Sequence, residues 1–147
     1  MLHYNAASRR VAALRYVKSG LQMRALDDEG VDLIVSDLNV DAISALTMIR
    51  AAVPAMKARR SGTLLVTGGA FAFQRSGLFL MLSVDKSALR VAVQALSDPL
   101  KEQGIHVASV IVGKVVPPAS REAAEVAAEL WKLHAQPHEA WASETVY

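Results

Sequence analysis

Gly62-Thr-Leu-Leu-Val-Thr-Gly-Gly69 decides the fold. It is a short apolar run ended by two glycines, the form a buried parallel strand takes where it meets a loop. From Leu82 onward, Leu82, Lys86, Leu89, Val93, Leu96 and Leu100 recur at steps of four and three, one stripe of a helix. Ala88, Val91, Ala92 and Ala95 make a second face of small residues, so one face can lie on a sheet and the other on a partner. Gly104 stops the helix, and Ile105-His-Val-Ala-Ser-Val-Ile-Val112 is the next strand. Strand, long helix and strand form a parallel crossover unit. The spacing therefore predicts a three-layer α/β fold with a short parallel sheet. Strands near 63 to 67 and 105 to 112 should be parallel neighbours, and helices at 40 to 58 and 83 to 97 should pack together. Pro99 is expected to break the second helix, leaving Asp98 to cap one last turn.

Outward from this unit the residues resemble a family. A strand ending in a small polar turn, a long helix entered through a Lys, then Gly104-Ile-His-Val107 and a strand closing at Gly113 resemble the second half of the short-chain dehydrogenases/reductases. The resemblance implies an incomplete Rossmann-like fold and the chemistry of an NAD(P)-dependent oxidoreductase. In that family the Lys of a Tyr-x-x-x-Lys motif holds the nicotinamide ribose and lowers the Tyr pKa. The Tyr protonates the carbonyl oxygen, and a Ser positions it. Lys86 matches the Lys, but the Tyr position falls on Leu82 and the Ser position on Gly69. The two residues that would touch substrate have thus changed, and ordinary carbonyl reduction is not expected of this chain alone.

The resemblance extends to three further sites. Tyr4-Asn-Ala-Ala7 looks like the family's Asn-Asn-Ala-Gly turn, with Asn5 on the second Asn, which backs the adenine ribose. Asn39-Val40 resembles the Asn-Val at the kink of the preceding helix, where the Asn carbonyl holds a water linked to the Lys. A polar residue on an ordinary helix explains Asn39 equally well. Val112-Gly113-Lys114-Val115 aligns with the Pro-Gly-x-Val segment whose backbone meets the nicotinamide amide, making Gly113 and Val115 cofactor candidates beside Asn5 and Lys86. The tail Leu133-His-Ala-Gln-Pro-x-x-Ala-Trp141 looks like that of an atypical branch in which Leu-Ser-x-x-Lys replaces the Tyr motif.

On this alignment the chain begins where the family's first half ends, and the glycine-rich phosphate loop would lie upstream of Met1. Thr67-Gly-Gly-Ala-Phe-Ala72 is no substitute, because the next required glycine falls on Ala72. Without backbone donors at a helix N-terminus, binding of NAD or NADP should be weak or absent. Lys86 lies on an early turn of its helix, unfavourably placed against the dipole, which calls for a ribose, a carboxylate or a water chain as partner. A Lys snorkelling out of the apolar stripe is the alternative.

Composition bounds the remaining readings. With 147 residues, 52% of them hydrophobic and 20% charged, the chain fits one folded domain. Net charge is +2, and the basic clusters Arg9-Arg10 and Lys57-x-Arg59-Arg60 have no interleaved aromatics, so no nucleic-acid partner is expected. The chain has no Cys, which excludes disulfides and thiolate metal sites and fits a cytoplasmic protein. Leu78-Phe-Leu-Met-Leu82 is far too short to span a membrane, which takes about 20 residues.

The rest of the chain reads as helices and turns. Ser8 to Gly20 is weakly helical, and Asp27-Asp28-Glu29 stands where a helix should begin, its adjacent acids sharing no face for a metal. Asp32 to Arg60 is helical, with Val40, Ile43, Leu46, Ile49, Val53 and Met56 on one side and a bend at Pro54. Ser120 caps a last helix with Ala123, Val126, Ala127, Leu130 and Trp131 on one face. His134 and His138 have the spacing of a helical metal pair, which Pro137 disrupts. Leu89, Val93, Leu96 and Leu100, with Ile43, Leu46, Ile49 and Val53, offer the stripes of a two-fold four-helix interface, hence a homodimer; alternatively both stripes are intramolecular core. Two functions follow: an oxidoreductase-family member inactive alone, or a non-catalytic dimerising module of the same descent.

Overall fold

The computed structural model describes residues 1–4 and 30–147. The helix expected over Ser8 to Gly20, the acids Asp27 to Glu29 and the candidate Asn5 lie outside the described residues. In chain order come β1 (Leu2–Tyr4), α1 (Val31–Leu38), a π-helical turn (Asn39–Ile43), α2 (Ser44–Ala58) and β2 (Gly62–Gly69). α3 (Leu80–Lys101), β3 (Ile105–Val112), α4 (Arg121–His134) and β4 (Glu144–Val146) follow. The strands lie in the order β1-β2-β3-β4, every pair parallel, and β2 pairs with β3 from Gly62↔Ile105 to Gly69↔Val112.

The sheet is covered on both faces, so its central strands are apolar without alternation. On one face Leu64, Val66, Ile105 and Val107 meet Ala45, Ile49 and Met56 of α2 and Leu89, Val93 and Leu100 of α3. On the other, Leu65, Ala108 and Val110 meet Leu130 and Leu133 of α4. Each Val, Leu, Ile and Met among them contributes roughly 1.5–3 kcal/mol through burial. The three layers and the β2–β3 pairing are those the spacing predicts.

Four expectations are corrected. β2 does not stop at Thr67 but continues through both glycines, which pair with Ile111 and Val112 of β3. α3 does not break before Pro99 but runs through it to Lys101. The ring removes one bond near the helix end, while buried Leu100 anchors the final turn and the Glu102 N–H reaches the Asp98 carbonyl at 3.2 Å. Gly104 then reverses the chain at φ 76, packed so closely on the Arg60 carbonyl that any side chain would overlap it.

The third correction concerns the proposed dimer stripes. Ile49, Leu89, Val93 and Leu100 are buried in the core, with Val53 and Leu96 packed against it. They hold the helices on the sheet, as the core alternative had it. Ile43 and Leu46 remain exposed on the helix 31–58, and Val84 and Val91 on α3. The fourth concerns α4: Ser120 caps it by accepting the Ala123 N–H at 3.1 Å, but Trp131 stands 61% exposed beside His134 instead of on the buried face.

Candidate functional site

Near the start of α3, Lys86 lies against the carboxyl end of β2. Its stem passes over Gly69, where a Cβ would come within 3.3 Å of the Lys86 Cγ. A Ser at position 69 would therefore press on the lysine stem. Lys86 Nζ donates to Asp41 Oδ1 at 3.2 Å, with the two side chains 13% and 2% exposed. A carboxylate is thus the partner that the lysine's position on its helix required.

Asp41 is delivered by the π-helical turn. The extra residue per turn from Asn39 to Ile43 sends the Ser44 N–H back to the Asn39 carbonyl, and Ser44 Oγ also bonds the Val40 carbonyl. Such back-bonding by Ser bends helices, and π turns recur at functional positions. The π turn begins at Asn39. Asn39 itself is exposed, its carbonyl taken into the helix; it is Asp41 that reaches Lys86.

Asp85 completes a buried acidic group with Asp37 and Asp41. Its Oδ1 is buried without a hydrogen-bond partner. Burial, reinforced by the charges of Asp41 and then Asp37 and opposed by Lys86, pushes its pKa from 3.8 up to about 7. Sequence reading missed all three acids. Asp37 and Asp41 stand four apart on one helical face, a signal that was available; which helix they would meet was not.

The start of α3 offers no phenol. Leu82 is a half-buried hydrocarbon, and Ser83 Oγ accepts the Ser76 N–H at 3.2 Å, which ties down the loop after β2. At the end of β3, the Gly113 N–H donates to the carbonyl of Tyr147 at 2.8 Å, while Val115 is exposed. Tyr147 is itself fixed: its hydroxyl donates to Glu125 at 2.5 Å and Lys114 Nζ sits 4.1 Å from its ring centre. That hydrogen bond lowers the Glu125 pKa and raises that of Tyr147 to about 12. Arg90 grips Glu144 through two bonds of 2.7 and 3.2 Å and lies 4.3 Å from the Phe73 ring centre, so the loop after β2, α3 and β4 are joined at one rim. The structure therefore brings together Lys86, Gly69 and Asp41, and keeps Gly113 engaged by the tail.

No group of three or more acidic or histidine residues is placed to hold a metal among the described residues. His134 Nδ1 meets Thr63 Oγ1 at 2.9 Å, whereas His138 Nε2 donates to the Lys101 carbonyl at 3.5 Å, so the two histidines face different partners. No described helix is long and apolar enough to cross a membrane.

No family model and no curated protein sequence matches the chain. Solved structures do. A short-chain dehydrogenase from Rhodopseudomonas palustris superposes with a TM-score of 0.79 at 21% identity, over 99% of this chain and 59% of its own. The fold is that of the short-chain dehydrogenases. A metagenomic short-chain oxidoreductase in complex with NADP gives a TM-score of 0.76 at 16% identity, covering 92% of this chain and 66% of the other. A 3-oxoacyl-[acyl-carrier protein] reductase with bound NAD from Brucella melitensis gives 0.66 at 22%, covering 89% and 46%. The chain spans about three fifths of the length of the Rhodopseudomonas short-chain dehydrogenase, and the order of its parallel strands and the Lys86 helix belong to this shared fold.

Proposed function

We propose that this chain is the nicotinamide-side portion of an NAD(P)-dependent short-chain oxidoreductase fold, a single folding unit that performs no carbonyl reduction by its own described residues. The observation that carries the proposal is the Lys86–Asp41 pair beside Gly69, one helical turn from Leu82. Hydride transfer to a ketone needs an acid at the carbonyl oxygen, a contribution of about 100-fold to 10,000-fold. Leu82 has no proton to give. Nor do the cofactor candidates fit a nicotinamide nucleotide as they stand: Lys86 Nζ faces a carboxylate, and the Gly113 N–H is taken by Tyr147. The test is absorbance at 340 nm with NADH and NADPH over a panel of ketones and aldehydes. No turnover above buffer is expected; robust nucleotide oxidation overturns the proposal.

A second reading, a dimerising module, is favoured by the faces that the core leaves uncovered. Val91 is 62% exposed and Val84 40% on α3, with Ile43 and Leu46 exposed on the adjacent helix. A second copy meeting these faces would keep Ile43 and Leu46 of the apolar stripes and use Val84 and Val91 where the stripes offered the buried Leu89 and Val93. Sedimentation of the protein beside Val91→Glu tests it: a dimer converted to monomer is expected, and a monomeric parent at tens of micromolar rules the dimer out.

A further inference from the structure

At the opposite, amino-terminal end of the sheet, an aromatic cluster serves none of the chemistry above. Thr63 and His106 are register partners on β2 and β3. His106 is 2% exposed, and its Nε2 donates to the Ala142 carbonyl at 2.8 Å. Its ring stacks on Trp141 at 4.8 Å with planes 5° apart, and His138 leans on the same indole at 4.6 Å. The segment after α4 is otherwise tied largely to itself here: Gln136 accepts the Trp141 Nε1–H with its carbonyl and the Ala142 N–H with its side chain. From Ser143 onward the tail crosses to the other end of the sheet, accepting the Ser109 N–H and donating from Tyr147 N–H to the Ile111 carbonyl. The His106 contacts thus hold the near end of a tail whose far end is held by the β3–β4 pairing, by Arg90 on Glu144 and by the Gly113 N–H on the Tyr147 carbonyl.

His106 Nδ1 is buried and has no hydrogen-bond partner, so a second proton on the ring would place a positive charge in a buried site where only the uncharged Ala142 and Leu133 carbonyls favour it. We propose that His106 is a proton-operated clasp: neutral, it holds residues 135–147 on the sheet; doubly protonated, it lets them go and frees the Gly113 amide at the far rim. The groups facing it all disfavour the imidazolium or are uncharged. Lys101 at the end of α3 and His134 on α4 oppose a further positive charge, His138 in the tail would add to it, and β2 contributes only Thr63. Burial is the main cause holding the His106 pKa below its ordinary 6.5, with the Ala142 and Leu133 carbonyls acting the other way and Lys101 and His134 adding to the depression. A released imidazole titrates near 6.5, so the contribution of the clasp is complete above that pH. It is lost as pH falls from there through the lower value of the closed state.

This inference stands apart from the reading of the candidate site, and hydrogen exchange tests it. Exchange at pH 7.5 and 5.0, corrected for intrinsic rates, should show peptides over 106–113 and 143–147 losing protection at least tenfold at the lower pH. Peptides within 62–67 should keep theirs. His106→Gln retains a donor for Ala142 but cannot take up a proton, and its tail should stay equally protected at both pH values. In a Trp131→Phe background, Trp141 emission should report the same midpoint in the parent protein only. Equal protection of the tail at both pH values, simultaneous loss in β2, or an unchanged transition in His106→Gln overturns the proposal. Should His106→Gln fail to fold, exchange in the parent protein decides.

Discussion

Asp85→Asn should stabilise this protein, and increasingly so as the pH rises. In the folded chain the Asp85 carboxyl keeps its proton up to about pH 7, against 3.8 ordinarily, because it is buried and faces Asp41 and Asp37. A group whose folded pKa is raised stabilises fully only below its unfolded value, and the advantage is lost as pH climbs through the folded one. The displacement is about three pH units at roughly 1.4 kcal/mol each, an upper bound of about 4 kcal/mol of burdened stability above pH 7. Asparagine matches the shape, carries no charge and can donate to the neighbouring carboxylates. A net gain of roughly 1–3 kcal/mol at pH 8, shrinking toward zero at pH 4, is expected once amide burial is offset. Urea denaturation of both proteins at pH 4, 6 and 8, followed by circular dichroism, measures the difference, and the His106 contribution cancels because both proteins share it. A variant less stable than the parent at pH 8, or a difference that does not change with pH, would refute the reasoning.

Gly104→Ala should cost about 1–3 kcal/mol or more, since it forces a side chain into left-handed backbone and onto the Arg60 carbonyl; a melting temperature within a degree or two of the parent's contradicts this. Leu82→Tyr with Gly69→Ser should leave the chain without reductase activity, because Lys86 stays paired with Asp41 and the added Ser crowds its stem; ketone-dependent oxidation of NADPH by the double variant would show the missing hydroxyls to be the whole defect. Asp41→Leu should destabilise more than Lys86→Met and Asp41→Leu made together, because the Lys86 ammonium loses its hydrogen-bonded carboxylate; Asp85 beside it holds the loss below the roughly 3–5 kcal/mol of an uncompensated buried charge, and chemical denaturation of the variants decides.

Much of the fold was legible because its signals are local. The β2 and β3 runs are continuous apolar segments, and the α3 stripe repeats for five turns, so pairing and layer order follow from connection rules. The errors arose where tertiary contacts outvote local preference. Pro99 signals a break, yet burial of Leu100 one residue later holds the turn. An apolar stripe does not say whether sheet or partner covers it, and the sheet took the Leu89–Val93 side. β4, only three residues long, carries no pattern of its own and exists through its bonds to β3 and the Arg90–Glu144 grip. At the candidate site, Lys86 and its need for a partner were readable, but Asp41 was not, because the pairing depends on how a π turn rotates one helix against another.

The central claim is that Lys86 and Gly113 are committed within the chain and do not serve a dinucleotide. Calorimetric titration of the purified protein with NADH and with NADPH tests it most directly. The account predicts no saturable heat up to about 1 mM nucleotide, because Lys86 Nζ is paired with Asp41 and the Gly113 N–H with the Tyr147 carbonyl. Stoichiometric binding of either nucleotide in the micromolar range, abolished by Lys86→Met, would contradict it.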